Sequence, residues 1–216
     1  MKNRKTFISN ITRQVVLVGV TKNHELQEII QLYDDGVSIF GENRVQELES
    51  KYREGHPWQW HFIGHLQRNK VSQVVSMCSM IHSVDSVRLA KEINKAANAI
   101  NIKMDVLIQV NVLDESTKFG CSLDDLEALV GFVNSSLHLC LKGFMVMGPT
   151  SQSKKETTIA FKKGNELFLY YKKIIDSIDT LSMGMSGDYE IAIKEGATMV
   201  RLGSILFDYS KNAQPQ

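Results

Sequence analysis

Lys22 stands just past an apolar run, Val15-Val16-Leu17-Val18-Gly19-Val20, with only Thr21 between. Such a run predicts a buried strand, and a lysine at its end sits at the rim of an apolar mouth. Desolvation there lowers the pKa of an amine, and the neutral amine is a nucleophile toward aldehydes. The alternative is a solvated strand-end lysine, the usual fate of this residue type. Two glycine-bearing turns come late in the chain, Met183-Gly184-Met185-Ser186-Gly187 and Arg201-Leu202-Gly203-Ser204. Backbone N–H groups of such turns bind phosphate at a helix start, and the hydroxyls of Ser186 and Ser204 add hydrogen bonds. An ordinary helix cap plus a turn reads the same residues as well, and Asp188 and Glu190 fit it, since acids favour a first helical turn. Arg201 interrupts an apolar strand, Met199-Val200-Arg201-Leu202. It must be bonded to a polar ligand if it faces inward, or pair with a helix if it faces outward. An amine, a phosphate turn and an inward arginine together describe an aldehyde-bearing phosphorylated cofactor, and pyridoxal phosphate carries that set of groups.

Other candidates point to less. His61 and His65 are four apart, but Gly64 between them and the lack of a nearby acid argue against a metal helix, so no metal is expected. Cys78 and Cys140 lie in apolar surroundings and read as core. Trp58 and Trp60 read as packing. The basic residues are scattered, without the stripe that nucleic acid requires.

The elements that must hold these groups show a repeated pattern of a short apolar run and then a longer amphipathic stretch. The runs are 15–20, 37–40, 60–63, 80–82, 105–110, 141–146, 180–183 and 198–202. Strands alternating with helices imply parallel strands joined by crossovers. Eight such units predict a closed (β/α)8 TIM barrel as a single domain over 1–216, with an open doubly wound sheet as the alternative. Leu26, Ile29, Ile30 and Tyr33 share a helical face ending at Gly36. Asn43 with Gln46, and Ser122 with Asp125, read as capping boxes, and Asp85 as the cap of the helix through Val87 and Ile93. The longest helix is predicted over 154–176, with Phe161, Leu167, Phe168 and Ile174 buried. Too few residues lie beyond Leu202 for a full eighth helix, so residues 3–13 are expected to help cover that part of the barrel.

Composition removes several classes of function. Hydrophobic residues make up 43% and charged residues 23%, so disorder is not expected. Twenty-five basic and 24 acidic residues leave a net charge of +1, which gives no bulk attraction to nucleic acid or anionic membrane. No apolar run approaches the ~20 residues of a membrane span. Met1 to Lys5 is basic, but Asn10, Arg13 and Gln14 interrupt the next stretch, so no signal peptide is expected. Cys78, Cys121 and Cys140 are odd in number and share no metal-ligand spacing, which reads as reduced thiols in a cytoplasmic protein.

The motifs taken together resemble a family. The segments are Val18-Gly19-Val20-Thr21-Lys22, Phe40-Gly41-Glu42-Asn43-Arg44-Val45-Gln46-Glu47, His61-Phe62-Ile63-Gly64-His65-Leu66-Gln67-Arg68-Asn69-Lys70, Ile81-His82-Ser83-Val84-Asp85, Gln109-Val110-Asn111 and Lys118-Phe119-Gly120. Leu181-Ser182-Met183-Gly184-Met185-Ser186-Gly187-Asp188 and Val200-Arg201-Leu202-Gly203-Ser204 complete the set. In order and spacing, from Val15 to Phe207, they resemble the YggS/PROSC-type pyridoxal phosphate homeostasis proteins, which look like the N-terminal barrel of alanine racemase standing alone. The resemblance implies that Lys22 forms an internal aldimine with pyridoxal phosphate and that Arg201 lies near the pyridine nitrogen. It implies Ser186, Gly203 and Ser204 around the phosphate, with Asn43 and His61 lining the pocket. Thr21 replaces the family's usual serine, Asp208 stands where glycine is usual, and the segment before the first strand is short.

Two functions from different classes are compatible with these residues. In the first, the chain holds and releases the cofactor without a catalytic residue of its own, as a monomer, with apo forms of pyridoxal phosphate enzymes as candidate partners. In the second, it is an amino-acid racemase. Racemisation needs acid–base groups on both faces of the substrate, and no second domain or strand-end tyrosine is in view to supply the second. A plain barrel scaffold for protein partners is a third reading, which the absence of a visible chromophore would favour.

Overall fold

In the computed structural model, which describes residues 3–115, 119–151 and 153–211, the eight apolar runs become the strands of a closed parallel barrel. The strands are β1 (Val16–Val20), β2 (Ile39–Glu42), β3 (Gln59–Phe62), β4 (Met80–Val84), β5 (Met104–Val110), β6 (Leu139–Val146), β7 (Thr180–Ser182) and β8 (Met199–Leu202). Pairing of Val18 with Arg201 between β1 and β8 closes the ring and excludes the open sheet. The helices are α1 (Arg4–Thr12) before the barrel, then α2 (Leu26–Asp34), α3 (Val45–Lys51), α4 (Val71–Met77), α5 (Val87–Ala99), α6 (Leu123–Ser135), α7 (Lys154–Lys172), α8 (Tyr189–Lys194) and α9 (Ser204–Lys211).

Strand alternation divides the core in two. Phe40, Phe62, Ile81, Val106, Phe144 and Leu181 face outward into the large core shared with the helices. Val18, Met80, Leu107, Met145 and Met199 face inward and fill the lower barrel. A bulge in β6 resets this alternation. Val106 pairs with Leu141 but Leu107 pairs with Gly143, so Lys142 is the extra residue. Before the bulge the odd residues Leu139 and Leu141 face outward; after it the even residues Phe144 and Val146 do. The bulge thereby turns Met145 into the barrel. Gly143 sits at this point with φ of 144°, and a Cβ there would overlap the carbonyl of Thr180 on β7, so no other residue fits without breaking the ladder.

The helix ends match the sequence reading in part. Ser122 accepts from the Asp125 N–H as expected, and Gly36 ends α2 at φ of 107°. Ser86, not Asp85, caps α5, accepting from the Leu89 N–H while its own hydroxyl donates to Asp85. The Asn43–Gln46 box is not made: α3 begins one residue later, with Arg44 at the cap and no side-chain hydrogen bond there. Helix α7 stops at Lys172, four residues short of expectation; Phe161 and Phe168 are buried, Leu167 is partly so, and Ile174 is exposed. The short N-terminal segment still forms α1, capped by Asn3, with Ile8 and Ile11 buried. It packs beside β1 and the two-turn α9, covering the place where the eighth helix is short.

Candidate functional site

The C-terminal ends of the strands carry polar residues above the apolar inner layer, as they do in barrels that bind small molecules. In β1 the inward series runs Val18, Val20 and then Lys22, because the Thr21 N–H extends the ladder to the Gly41 carbonyl. Lys22 is exposed at the rim and, among the described residues, makes no hydrogen bond or ion pair. Its side chain is exposed above the barrel and is not enclosed by an apolar mouth.

The centre of the site is a buried polar chain that crosses the barrel. His61 Nδ1 and His82 Nε2 lie 2.9 Å apart, and His82 Nδ1 lies 3.2 Å from Ser182 Oγ. Arg201 donates to Ser182 Oγ at 2.7 Å and to the Ser182 carbonyl at 2.9 Å. Its other terminal nitrogen meets the Val146 carbonyl at 3.4 Å and Met147 Sδ at 3.0 Å. All four polar side chains are buried. Burial pushes His61 down to about 3, and burial, then His61 and Arg201, push His82 well below its usual range. Both rings are neutral at pH 7, so their tautomers are coupled: when Ser182 donates to His82, His82 donates to His61, and otherwise both bonds run the other way.

Arg201 faces inward, which removes the outward salt bridge that its sequence position also allowed. Burial pulls its guanidinium down to about 10, opposed by Asp188, so it stays charged at neutral pH. Among the described residues no carboxylate forms an ion pair with it, and its partners are a hydroxyl, two carbonyls and a thioether. A buried cation without a carboxylate is suited to an acceptor on a ligand.

The two late turns meet beside this chain. Ser186 Oγ accepts from the Gly203 N–H at 3.2 Å and from the Ile205 N–H at 3.4 Å, so the loop after β7 caps α9. The capping reading and the phosphate reading thus fall on the same atoms: the N–H groups at the start of α9. Asp188 turns back on its own loop, accepting from the Met185 N–H at 2.6 Å. A Cβ on Gly203 would lie in ordinary contact with Val20, at 3.4 Å, which places the turn against β1 just below Lys22. Asn43 is half-buried, with Oδ1 enclosed and without a hydrogen-bond partner among the described residues. Its carbonyl is so close to Gly64 that a Cβ there would stand 2.1 Å away. His61 and His65 have different partners: His65 lies 3.6 Å from Asp85 and stacks on Phe119 at 4.3 Å. Lys118 lies outside the described residues.

His61, Arg201, Ser186 and Gly203 are therefore brought into two bonded groups, with Lys22, Asn43 and Ser204 around them. His82 and Ser182 were not singled out from the sequence as site residues, although each is a polar residue at an inward position of an apolar strand, the signal that marks Arg201. The set fits a phosphorylated aldehyde: an amine at the rim, N–H donors at a helix start, and a buried, charged guanidinium. Ser204→Asp separates the two readings of the α9 turn. Ser204 is exposed at the first helical position, where an acid favours the helix dipole by about 0.3–1 kcal/mol. The variant is expected to keep its thermal midpoint and to lose roughly tenfold or more in affinity for pyridoxal phosphate, through repulsion between like charges. Equal affinities in variant and parent would place the phosphate elsewhere.

The model of the alanine racemase N-terminal domain family matches residues 2–211. A protein of Aquifex aeolicus named pyridoxal phosphate homeostasis protein is 39% identical over 198 residues, covering 90% of this chain and 87% of that protein. Its namesake in Escherichia coli strain K12 is 37% identical over 207 residues, covering 92% and 88%. Among solved structures, PipY of Synechococcus elongatus with PLP bound superposes with a TM-score of 0.87 at 31% identity, over 95% of this chain and all of that one. Alanine racemase of Clostridium difficile shares the fold at a TM-score of 0.75 and 17% identity, with 56% of that chain covered.

Proposed function

The chain belongs to the pyridoxal phosphate homeostasis proteins built on the alanine racemase N-terminal domain, and on that premise we propose that it binds pyridoxal phosphate, holds it reversibly on Lys22 and releases it without turning over a substrate. The cofactor brings an aldehyde and, when its ring nitrogen is protonated, a strong electron sink. Lys22 gives up a proton and uses its amine to displace the aldehyde oxygen as water; water reverses the exchange. The N–H groups at the start of α9, with Ser186 and Ser204, hold the phosphate. Asn43 and His61 line the pocket.

The observation that carries this reading is Arg201. Its guanidinium is buried, charged and fixed by Ser182, and among the described residues no carboxylate forms an ion pair with it, Asp188 acting on it only from beyond bonding distance. An arginine donates and cannot accept, so it keeps a ring nitrogen opposite it unprotonated and the electron sink weak. His61 and His82, the other titratable groups of the polar layer, are bonded to each other. None of the tyrosines whose side chains are described joins that layer. Exposure of Lys22 at an open rim favours exchange of the cofactor with other proteins. The name and the bound PLP of the relatives support the same reading. It places the protein in the cytoplasm as a carrier, with apo enzymes as recipients.

The test is to incubate the loaded protein with alanine and other amino acids, following chirality and solvent deuterium at Cα, and in parallel with an apo pyridoxal phosphate enzyme, following recovery of that enzyme. The expected result is negligible exchange at Cα together with reactivation of the acceptor. Racemisation at ordinary enzyme rates, about 1–10³ per second, would overturn the carrier reading.

A further inference from the structure

Beneath the turn that carries Lys22 lies a second cluster of charged groups, on the outer side of the barrel between β1, β2 and α3. Lys51, in the last turn of α3, is almost fully buried, and Glu42, at the end of β2, is fully so. Lys51 Nζ donates to Glu42 Oε1 at 2.6 Å, to Glu47 Oε2 at 3.3 Å and to the Thr21 carbonyl at 2.7 Å. Thr21 Oγ1 donates to the same Glu42 oxygen at 2.5 Å. Glu47 Oε2 also accepts from the Asn23 N–H at 2.8 Å. Asn23 is one of the few residues other than glycine in the left-handed region, at φ of 62°.

These bonds share one target. The Thr21 carbonyl belongs to the peptide before Lys22, and the Asn23 N–H belongs to the peptide after it. Both peptides flanking the lysine are therefore tied to the cluster, while the lysine side chain is left without a partner among the described residues. We infer that Glu42, Glu47 and Lys51 are positioning residues that fix the backbone of Lys22 so that its amine is presented to the aldehyde of the cofactor. This rests on the reading that Lys22 takes the cofactor. A buried ion pair is a poor source of stability, because desolvation offsets its attraction, and apolar residues would fill the same space at less cost. A pair that also holds the carbonyl and the hydroxyl of Thr21 has a geometric task instead. Burial pushes the Glu47 carboxyl up, but the Asn23 N–H and Lys51 outweigh it and hold it below its ordinary value, which keeps it an ionised acceptor at neutral pH. The tie also gives Thr21 a role that any hydroxyl residue at this position can fill.

Two readouts test this. Hydrogen exchange at the Asn23 amide, measured on the cofactor-free protein, reads the clamp itself. Borohydride trapping on Lys22, divided by total bound pyridoxal phosphate, reads its consequence. Glu47→Ala removes the acceptor for Asn23 and leaves the Lys51–Glu42 pair in place. It is expected to fold as the parent does, to exchange the Asn23 amide roughly tenfold or more faster, and to trap a several-fold smaller share. Glu47→Gln keeps an acceptor oxygen and should return both readouts toward the parent. The pair variant Glu42→Gln with Lys51→Met leaves no unpaired buried ion and should lower the trapped share further. Exchange and trapping at parent levels in folded Glu47→Ala would overturn the inference. A parent that traps nothing on Lys22 would sink the assignment of Lys22 alone, and exchange at Asn23 would still decide whether the clamp exists.

Discussion

Lys22→Ala is expected to abolish the borohydride-fixed adduct and the visible band of the loaded protein, while leaving weaker, non-covalent binding of pyridoxal phosphate. The drop in trapped cofactor should be roughly a hundredfold or more, because among the described residues no second amine is placed to replace the first. Lys22 is in the inward series of β1, above Val18 and Val20, and the α9 turn packs against Val20 directly below it. Lys51 is the nearest buried amine in sequence, but its three hydrogen bonds point it away from the mouth. Residual binding is expected because the donors at the start of α9 and the guanidinium of Arg201 do not depend on Lys22. Peptide mapping after reduction decides the matter: label on the peptide containing Lys22 in the parent, and none in the variant. Label on Lys70 or Lys118 would show that another amine takes the aldehyde.

How much of this site can be read from the sequence depends on whether a residue's meaning is local. The barrel itself is local, since each strand is an apolar run and each crossover a separate amphipathic stretch, and the strands lie within a few residues of expectation. Arg201 is legible because a cation inside an apolar strand demands a partner. His82 and Ser182 obey the same rule, but each is small or neutral enough to pass as an ordinary core residue, and only their bond across 100 positions reveals them as one chain. The bulge at Lys142 cannot be seen beforehand: it reverses which residues of β6 face inward, and so decides that Met145 packs in the barrel and that Met147 reaches Arg201. Glu47 and Lys51 look like a solvated pair one helical turn apart, the commonest surface arrangement. Burial of Lys51 against Glu42 turns that pair into the support of the Lys22 turn. Asn43 fails as a cap for a related reason, because α3 begins after it and leaves its side chain beside the mouth.

Acid should weaken this protein well before its carboxylates titrate, and His61 and His82 are the cause. Both are buried and neutral in the folded chain, with His61 at about 3 and His82 well below the ordinary value. In the unfolded chain each binds a proton near pH 6.5. Between those limits the unfolded state holds more protons than the folded one, so stability rises with pH there and falls as pH drops below about 6.5. Above that value neither ring contributes a slope. Each group supplies at most about 1.4 kcal/mol per pH unit, so the pair accounts for a few kcal/mol between pH 6.5 and pH 5, a sizeable part of an ordinary domain's stability. The layer has no means to absorb the charge: a protonated His82 would face Arg201 through Ser182, two buried cations with no carboxylate paired to either among the described residues. The measurement is urea unfolding of the cofactor-free protein at intervals across that window, for the parent and for His82→Gln. Glutamine keeps a donor and an acceptor in the chain but does not titrate. The variant is expected to start less stable at pH 7.5 and to lose stability with a slope reduced by about half, since one of two titrating groups is gone. Comparing slopes removes the contribution of every other group that titrates in the same range. Parallel slopes for parent and variant would mean that His82 takes up its proton in the folded chain at no cost, and that the polar layer is not closed to water as the buried chain from His61 to Arg201 requires.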